Sequence, residues 1–201
     1  LGSLYRNNPI VLGDFEHLIQ VWKQENRRNV NFDKIMAALD FAAFKHVAQV
    51  RNHADWVPYI VHPLRVVLLL WEEAGFRKSD LLAAAFLHEI LEDTKTVSAE
   101  IEAAFGVEVL QLVEQLTLRP ELGLSVQTDK MSREAKAIKL ADRTQNLRDL
   151  LDHPPKVWQS GKVARFIENS QELLRALEGV NLKLERAYMA ALDNLIHINR
   201  I

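Results

Sequence analysis

Apolar residues recur at helical spacing along almost the whole chain, and no stretch of four or more residues alternates convincingly between apolar and polar. The pattern predicts an all-α fold, a single bundle of about eight to nine helices. A first helix, about Asp14 to Gln24, places Phe15, Leu18, Ile19 and Trp22 on one stripe. A second starts near Asn31, whose side chain suits an N-cap, and presents Ile35, Leu39, Ala42 and His46. From Asn52 to Val61 the helical period is lost and Pro58 intervenes, which predicts a loop delivering His62 to a helix that Pro63 opens at its first position. Gly75 ends that helix. Ser79 is expected to cap a helix reaching about Asp93, and Ser98 a short one closed by Gly106. Val107 to about Leu116 reads as helical, and Thr117 to Lys130, broken by Pro120 and Gly123, as a loop. Ser132 begins a long helix through about Leu151, stopped by Asp152-His153-Pro154-Pro155. Two amphipathic helices follow, about Lys162 to Leu177 and Asn181 to Ile198, with Gly179 between them. There is no internal repeat and no dividing linker, so residues 1–30 read as an amino-terminal extension with one helix and residues 31–201 as one domain.

Composition narrows the function. Hydrophobic residues make up 48% and charged residues 26% of 201 residues, globular values that exclude disorder and collagen-like repeats. The longest apolar run, Leu81 to Leu87, is far short of the roughly 18 residues of a membrane span. With 25 Lys and Arg scattered among 27 Asp and Glu, the chain lacks the basic footprint of a nucleic-acid binder. The opening LGSLYRNNP has none of the features of a signal peptide, so a cytoplasmic location is the default expectation. No cysteine is present, which removes disulfides, thiolate metal sites and cysteine nucleophiles. A metal must be held by His, Asp or Glu.

The informative segment is Phe86-Leu87-His88-Glu89-Ile90-Leu91-Glu92-Asp93, where four ionisable groups fall within six residues of an otherwise apolar helix. On one continuous helix His88 and Glu92 lie one turn apart, as do Glu89 and Asp93, so one helix end offers an imidazole and several carboxylates. Carboxylates packed so closely repel unless solvent or a cation neutralises them. His62, at a loop-helix junction, and Asp142, mid-helix with Asn146 one turn on, are the natural complements. Two imidazoles and two carboxylates suit Mn²⁺, Fe²⁺ or Zn²⁺ and leave positions for water and a phosphate oxygen.

An ordered set of segments carries a resemblance: Phe44-Lys45-His46-Val47-Ala48-Gln49-Val50-Arg51, Pro58-Tyr59-Ile60-Val61-His62-Pro63, Leu87-His88-Glu89 through Glu92-Asp93-Thr94, Phe105-Gly106, and Lys139-Leu140-Ala141-Asp142-Arg143 through Asn146-Leu147-Arg148-Asp149-Leu150. The set resembles the HD-domain phosphohydrolases, specifically the stand-alone alarmone hydrolases related to the hydrolase domain of RelA/SpoT proteins, and the late helices look like those of the short metazoan-type members. Residues 31–201 would then be the HD domain. The resemblance implies a divalent ion, usually Mn²⁺, held by His62, His88, Glu89 and Asp142. It implies that Glu92 and Asp93 orient or deprotonate the attacking water, that Arg51 packs on a guanine base, and that Asn146 and Arg148 lie beside the nucleotide. The implied reaction is hydrolysis of the 3′-pyrophosphate of guanosine tetra- and pentaphosphate, (p)ppGpp, to pyrophosphate and GDP or GTP. The implied partner is thus a small guanine nucleotide, with no nucleic acid or membrane, and the oligomeric state is open. Nothing resembles a synthetase or regulatory domain.

Two positions depart from the family pattern. Glu89 stands where the family has Asp, moving the carboxylate by about an ångström, and Asn52 stands where the family has a basic residue. Two competing readings follow: a phosphohydrolase for another nucleotide, and a nucleotide-sensing module that has lost turnover through Glu89. His46 falls on an apolar stripe and reads as a hydrogen-bonded interior histidine. His17, His53, His153 and His197 have no supporting partners, Arg27-Arg28 and Lys136 with Lys139 read as solvated charge, and Val66 to Trp71 reads as core.

Overall fold

The structure, a computed structural model, describes residues 4–24, 30–51, 54–117, 124–152, 154 and 160–199. Helix α1 (Pro9–Lys23) begins at Pro9 rather than Asp14, because Asn8 is a stronger start: its side-chain oxygen accepts from the backbone N–H groups of Ile10 and Val11, at 3.2 and 3.1 Å. Asn31 caps α2 (Phe32–Lys45) as expected, accepting from the Lys34 N–H at 3.0 Å. The predicted loop after it holds a small antiparallel hairpin instead, β1 (Val50–Arg51) with β2 (Ala54–Pro58). Strands this short are defined by backbone pairing, and one exposed Trp56 beside one buried Val57 is too little to leave a period-two trace in the sequence. Asn52 and His53 lie outside the described residues.

His62 and Pro63 sit in the first turn of α3 (Val61–Leu68), Pro63 at the third position rather than the first. An N–H there would have no intrahelical partner, so the proline is still tolerated. A π-helical turn, Leu69–Glu73, carries α3 on, and the chain reverses at Gly75 with φ 77°.

The largest departure is at His88. The expected single helix from Ser79 to Asp93 is two, α4 (Ser79–Phe86) and α5 (Ile90–Asp93), joined by a tight turn at Leu87-His88-Glu89. The Leu87 N–H bonds to the Ala84 carbonyl and the Ile90 N–H to the Leu87 carbonyl, both at 3.0 Å, while the His88 ring takes the Ala85 carbonyl at 2.8 Å. The imidazole thus satisfies a carbonyl that a continued helix would have used. The chain continues through α6 (Ser98–Phe105), α7 (Val107–Leu116), α8 (Leu124–Asp129), α9 (Arg133–Asp152), α10 (Ser160–Ala176) and α11 (Leu182–Asn199). Helix α8 corrects the loop expected from Thr117 to Lys130. Its composition is a poor helix signal, and tertiary contact holds it, with Gln127 buried and donating to the Thr117 carbonyl at 2.8 Å. Pro120 and Gly123, on which that expectation rested, lie outside the described residues.

Helix α4 is the axis of the fold: Leu81 to Phe86 are all buried, against α2, α3, α7 and α9. Helix α1 joins the same core through Trp22, whose ring lies 5.2 Å from Phe32 and 5.8 Å from Trp71. Helix α9, backed by α11, turns Lys139, Asp142, Gln145 and Asp149 inward with its apolar residues. The hairpin is tied to α5 through buried His46. Its Nδ1 lies 2.6 Å from Gln49 Oε1, and Gln49 donates to the Asp93 carbonyl at 2.6 Å. His46 is therefore the hydrogen-bonded interior histidine expected of its stripe, and burial lowers its pKa.

Two outcomes follow for stability. Trp71→Ala removes the centre of the aromatic cluster and is expected to cost about 3–5 kcal/mol, read as a lowered urea midpoint. For His46, the unfolded chain takes up a proton near pH 6.5 and the fold resists it, so its contribution is full above that pH and shrinks as pH falls. A His46→Gln variant should lose less melting temperature than the native chain between pH 7 and pH 5.

Candidate metal centre

Three separate parts of the chain converge beneath the hairpin. The first turn of α3 supplies His62, the turn between α4 and α5 supplies His88 and Glu89, and the middle of α9 supplies Asp142. One ligand atom from each lies within 4.8 Å of the others. His62 Nε2 is 3.3 Å from His88 Nε2 and 3.2 Å from Asp142 Oδ1, and His88 Nε2 is 3.7 Å from Asp142 Oδ1 and 4.0 Å from Glu89 Oε1. His62, His88 and Asp142 are buried, and Glu89 half-buried.

The donor set fits a divalent cation. His88 Nδ1 donates to the Ala85 carbonyl, so in the neutral ring Nε2 carries a lone pair aimed at the cluster. Two ring nitrogens facing one another beside two carboxylates form an excess of acceptors that one cation would satisfy. The charges respond accordingly. Burial and the nearby Arg51 lower the pKa of His62 and keep it neutral. Burial also pulls His88 down, but hydrogen bonding to Asp142 and the charge of Glu89 outweigh it, so its pKa is raised. Asp142 lies well below the carboxylate range: burial pushes it up, and Lys139 and the two imidazoles more than reverse that. Glu89 is likewise lowered, burial being outweighed chiefly by His88. The raised His88 and lowered carboxylates share one cause: the cluster favours positive charge at its centre.

Asp142 and Glu89 are held from behind, while the buried Nδ1 of His62 has no hydrogen-bond partner among the described residues. Asp142 Oδ2 pairs with Lys139 Nζ at 3.0 Å, and Asp142 Oδ1 accepts from Asn146 Nδ2 at 2.7 Å. Asn146 Oδ1 in turn accepts from Arg51 at 2.6 Å, and Arg51 pairs with Asp149 at 3.0 Å. Gln145 donates to Asp149 at 2.7 Å. The Tyr59 hydroxyl donates to Glu89 Oε2; burial and then the Glu89 carboxylate raise its pKa well above the usual value, so it stays protonated. Above the cluster opens a cavity of about 630 Å³, lined on its polar side by Gln49, Arg51, Tyr59, Glu89, Asp93 and Asn146, and on its apolar side by Val50, Leu150 and Phe166.

The structure thus brings together His62, His88, Glu89 and Asp142, and places Arg51, Asn146 and Asp93 around the adjoining cavity. Glu92 sits exposed on α5, outside the four-residue cluster. Arg148 faces away, paired with Glu73 of the π-helical turn at 3.0 and 3.3 Å. Lys139, expected on a solvated face, is buried against Asp142, because α9 is covered on that side. Gln49, Tyr59 and Asp149 lie within the segments that carry the resemblance but receive no role from it, and Phe166 lies outside them. Asp149 follows Asp142 and Asn146 at helical spacing on one face, a signal that could have found it. Phe166 comes from α10, and nothing local in its sequence links it to the site.

Comparison with known proteins agrees with this architecture. The HD-domain family profile matches residues 38–135, which include His62, His88 and Glu89 but stop short of Asp142. Human guanosine-3′,5′-bis(diphosphate) 3′-pyrophosphohydrolase MESH1 is 40% identical over 161 residues, covering 77% of this chain and 90% of its own length. The Drosophila melanogaster protein of the same name is 35% identical over 159 residues, covering 76% and 89%. Among solved structures, a metazoan ortholog of SpoT that hydrolyzes ppGpp superimposes with a TM-score of 0.70 at 32% identity, over 82% of this chain and 94% of that one. With likeness at this level running through both sequence and structure, the chain belongs to the HD-domain family, in the branch of the MESH1 pyrophosphohydrolases.

Proposed function

We propose that the protein hydrolyses the 3′-pyrophosphate of (p)ppGpp, releasing pyrophosphate with GDP or GTP, and that Mn²⁺ is its ion. The observation that carries this reading is the convergence of His62, His88, Glu89 and Asp142 at the edge of a cavity of about 630 Å³, a volume in the range of small-molecule sites. The reaction named for its relatives supplies the substrate.

When bound, the ion would neutralise charge on phosphoryl oxygens and acidify a water molecule. The protein's own residues do the rest. Asp93 lines the cavity, and burial, then the neighbouring Glu89, raises its pKa, which suits a group that accepts a proton from water. Glu92, on the same short helix, shares the acid-base assignment with it. Arg51 presents a guanidinium whose position is fixed by Asn146 and Asp149, and a planar cation suits stacking on a base. Phe166, Leu150 and Val50 give the cavity an apolar side against which a nucleobase can pack. Arg148, bound to Glu73, has no part in this reading.

Glu89 belongs to the converging group despite its extra methylene, which favours turnover over the sensing alternative. No described helix is long and apolar enough to cross a membrane. Metal-stripped protein incubated with ppGpp is expected to release pyrophosphate and GDP on addition of Mn²⁺, and not without it. Asp142→Ala should abolish release, and Glu92→Ala and Asp93→Ala should each lower kcat by about 100-fold or more. A chain that cleaves a panel of phosphomonoesters but not ppGpp would assign it another nucleotide. Tight ppGpp binding with no release, reversed by Glu89→Asp, would make it a sensor.

A further inference from the structure

We propose that Tyr59 is the positioning residue of the metal centre, its hydroxyl holding one oxygen of Glu89 so that the other is turned toward the two imidazoles. The proposal rests on reading His62, His88, Glu89 and Asp142 as a divalent-cation site.

The argument begins with the freedom of Glu89. A glutamate carboxylate stands at the end of three rotatable bonds, and this one is half-buried at a turn, where the backbone does not fix its direction. Glu89 Oε2 accepts the Tyr59 hydroxyl, while Oε1 lies on the side of His88, 4.0 Å from its Nε2. A hydrogen bond to one carboxylate oxygen removes most of that rotational freedom and leaves the second oxygen available. The extra methylene that distinguishes glutamate from aspartate is then an asset, since it lets one carboxylate span the gap between the tyrosine and the imidazoles.

Tyr59 is itself held on several sides. It is buried, its ring stacks on His46 with centroids 4.2 Å apart and planes 25° from parallel, and its N–H bonds to the Gln49 carbonyl at 2.9 Å. Its own carbonyl accepts the His62 N–H at 2.9 Å, so the residue that aims Glu89 is joined by one turn of backbone to another of the four. His46 and Gln49 thereby acquire a purpose beyond stability. They fix the ring whose hydroxyl fixes the acid.

Tyr59→Phe deletes one oxygen and keeps the stacked ring, which makes it the informative substitution. Mn²⁺ affinity of the metal-stripped full chain is measured by calorimetry for the native protein, Tyr59→Phe, Glu89→Ala and the double variant, with metal-free melting temperatures read alongside. Loss of the hydroxyl should weaken Mn²⁺ binding about tenfold in the native background and leave the affinity of Glu89→Ala unchanged, because the effect passes through Glu89. Tyr59→Leu, which also loses the stack, is expected to lower the metal-free melting temperature where Tyr59→Phe does not. Unchanged affinity in Tyr59→Phe overturns the proposal, as does a tenfold loss that persists in the Glu89→Ala background. Asp142→Ala is the control on the underlying reading. If it binds Mn²⁺ like the native chain, the cation site itself falls and the proposal with it; if it loses Mn²⁺ while Tyr59→Phe is silent, the positioning role alone fails.

Discussion

The structure depends on keeping a carboxylate charged where almost no water reaches it. Asp142 is 2% exposed, in the middle of a helix enclosed by the rest of the bundle. An isolated charge in that position would cost several kcal/mol. It is sustained by Lys139 on one oxygen at 3.0 Å and by the Asn146 amide on the other at 2.7 Å. Each partner is held in turn: Asn146 by Arg51, Arg51 by Asp149, Asp149 by Gln145. Polar interiors of this kind specify geometry when every member is satisfied and are unfavourable when one is missing. The cluster therefore constrains how α3 and α9 can pack.

The turn at His88 shows the same constraint acting on the backbone. The apolar run Leu81 to Leu87 would continue as a helix on its own, since nothing in it is a helix breaker. The chain instead leaves helical geometry at the residue whose ring must reach the buried carboxylate, and a bond from that ring to the Ala85 carbonyl stabilises the break. Residues forced into such turns gather at functional sites because the surroundings must hold them there.

Much of this was legible from sequence, for identifiable reasons. Helix α7 from Val107 to Leu116 and the Asn31 cap of α2 are legible because both are local signals that no distant contact overrides. His62, His88, Glu89 and Asp142 were legible because ligand chemistry admits few residue types and their order fits a family pattern. What escaped was decided at a distance. The hairpin is too short to show an alternation, α8 is held by contacts to Thr117, and the break after Phe86 answers to a carboxylate in another helix. Lys139 shows the limit of judging a charged side chain by its local sequence: read as solvated charge, it lies buried beside Asp142 because α9 is covered on that side.

The wide separation of His62 and Asp142 along the chain bears on how the protein comes to be folded at all. Contacts between distant segments carry the largest loop-closure entropy, and the cluster is complete only when α3, α4 and α9 have met. Until then its histidines and acids would act as independent, weakly binding groups. Any ion captured by the finished cluster binds the native state far better than the unfolded one, and so adds to the stability of the whole domain in proportion to the logarithm of its concentration. Metal supply would then set the lifetime of the protein against unfolding and proteolysis, and a cell short of the ion would hold fewer copies of it.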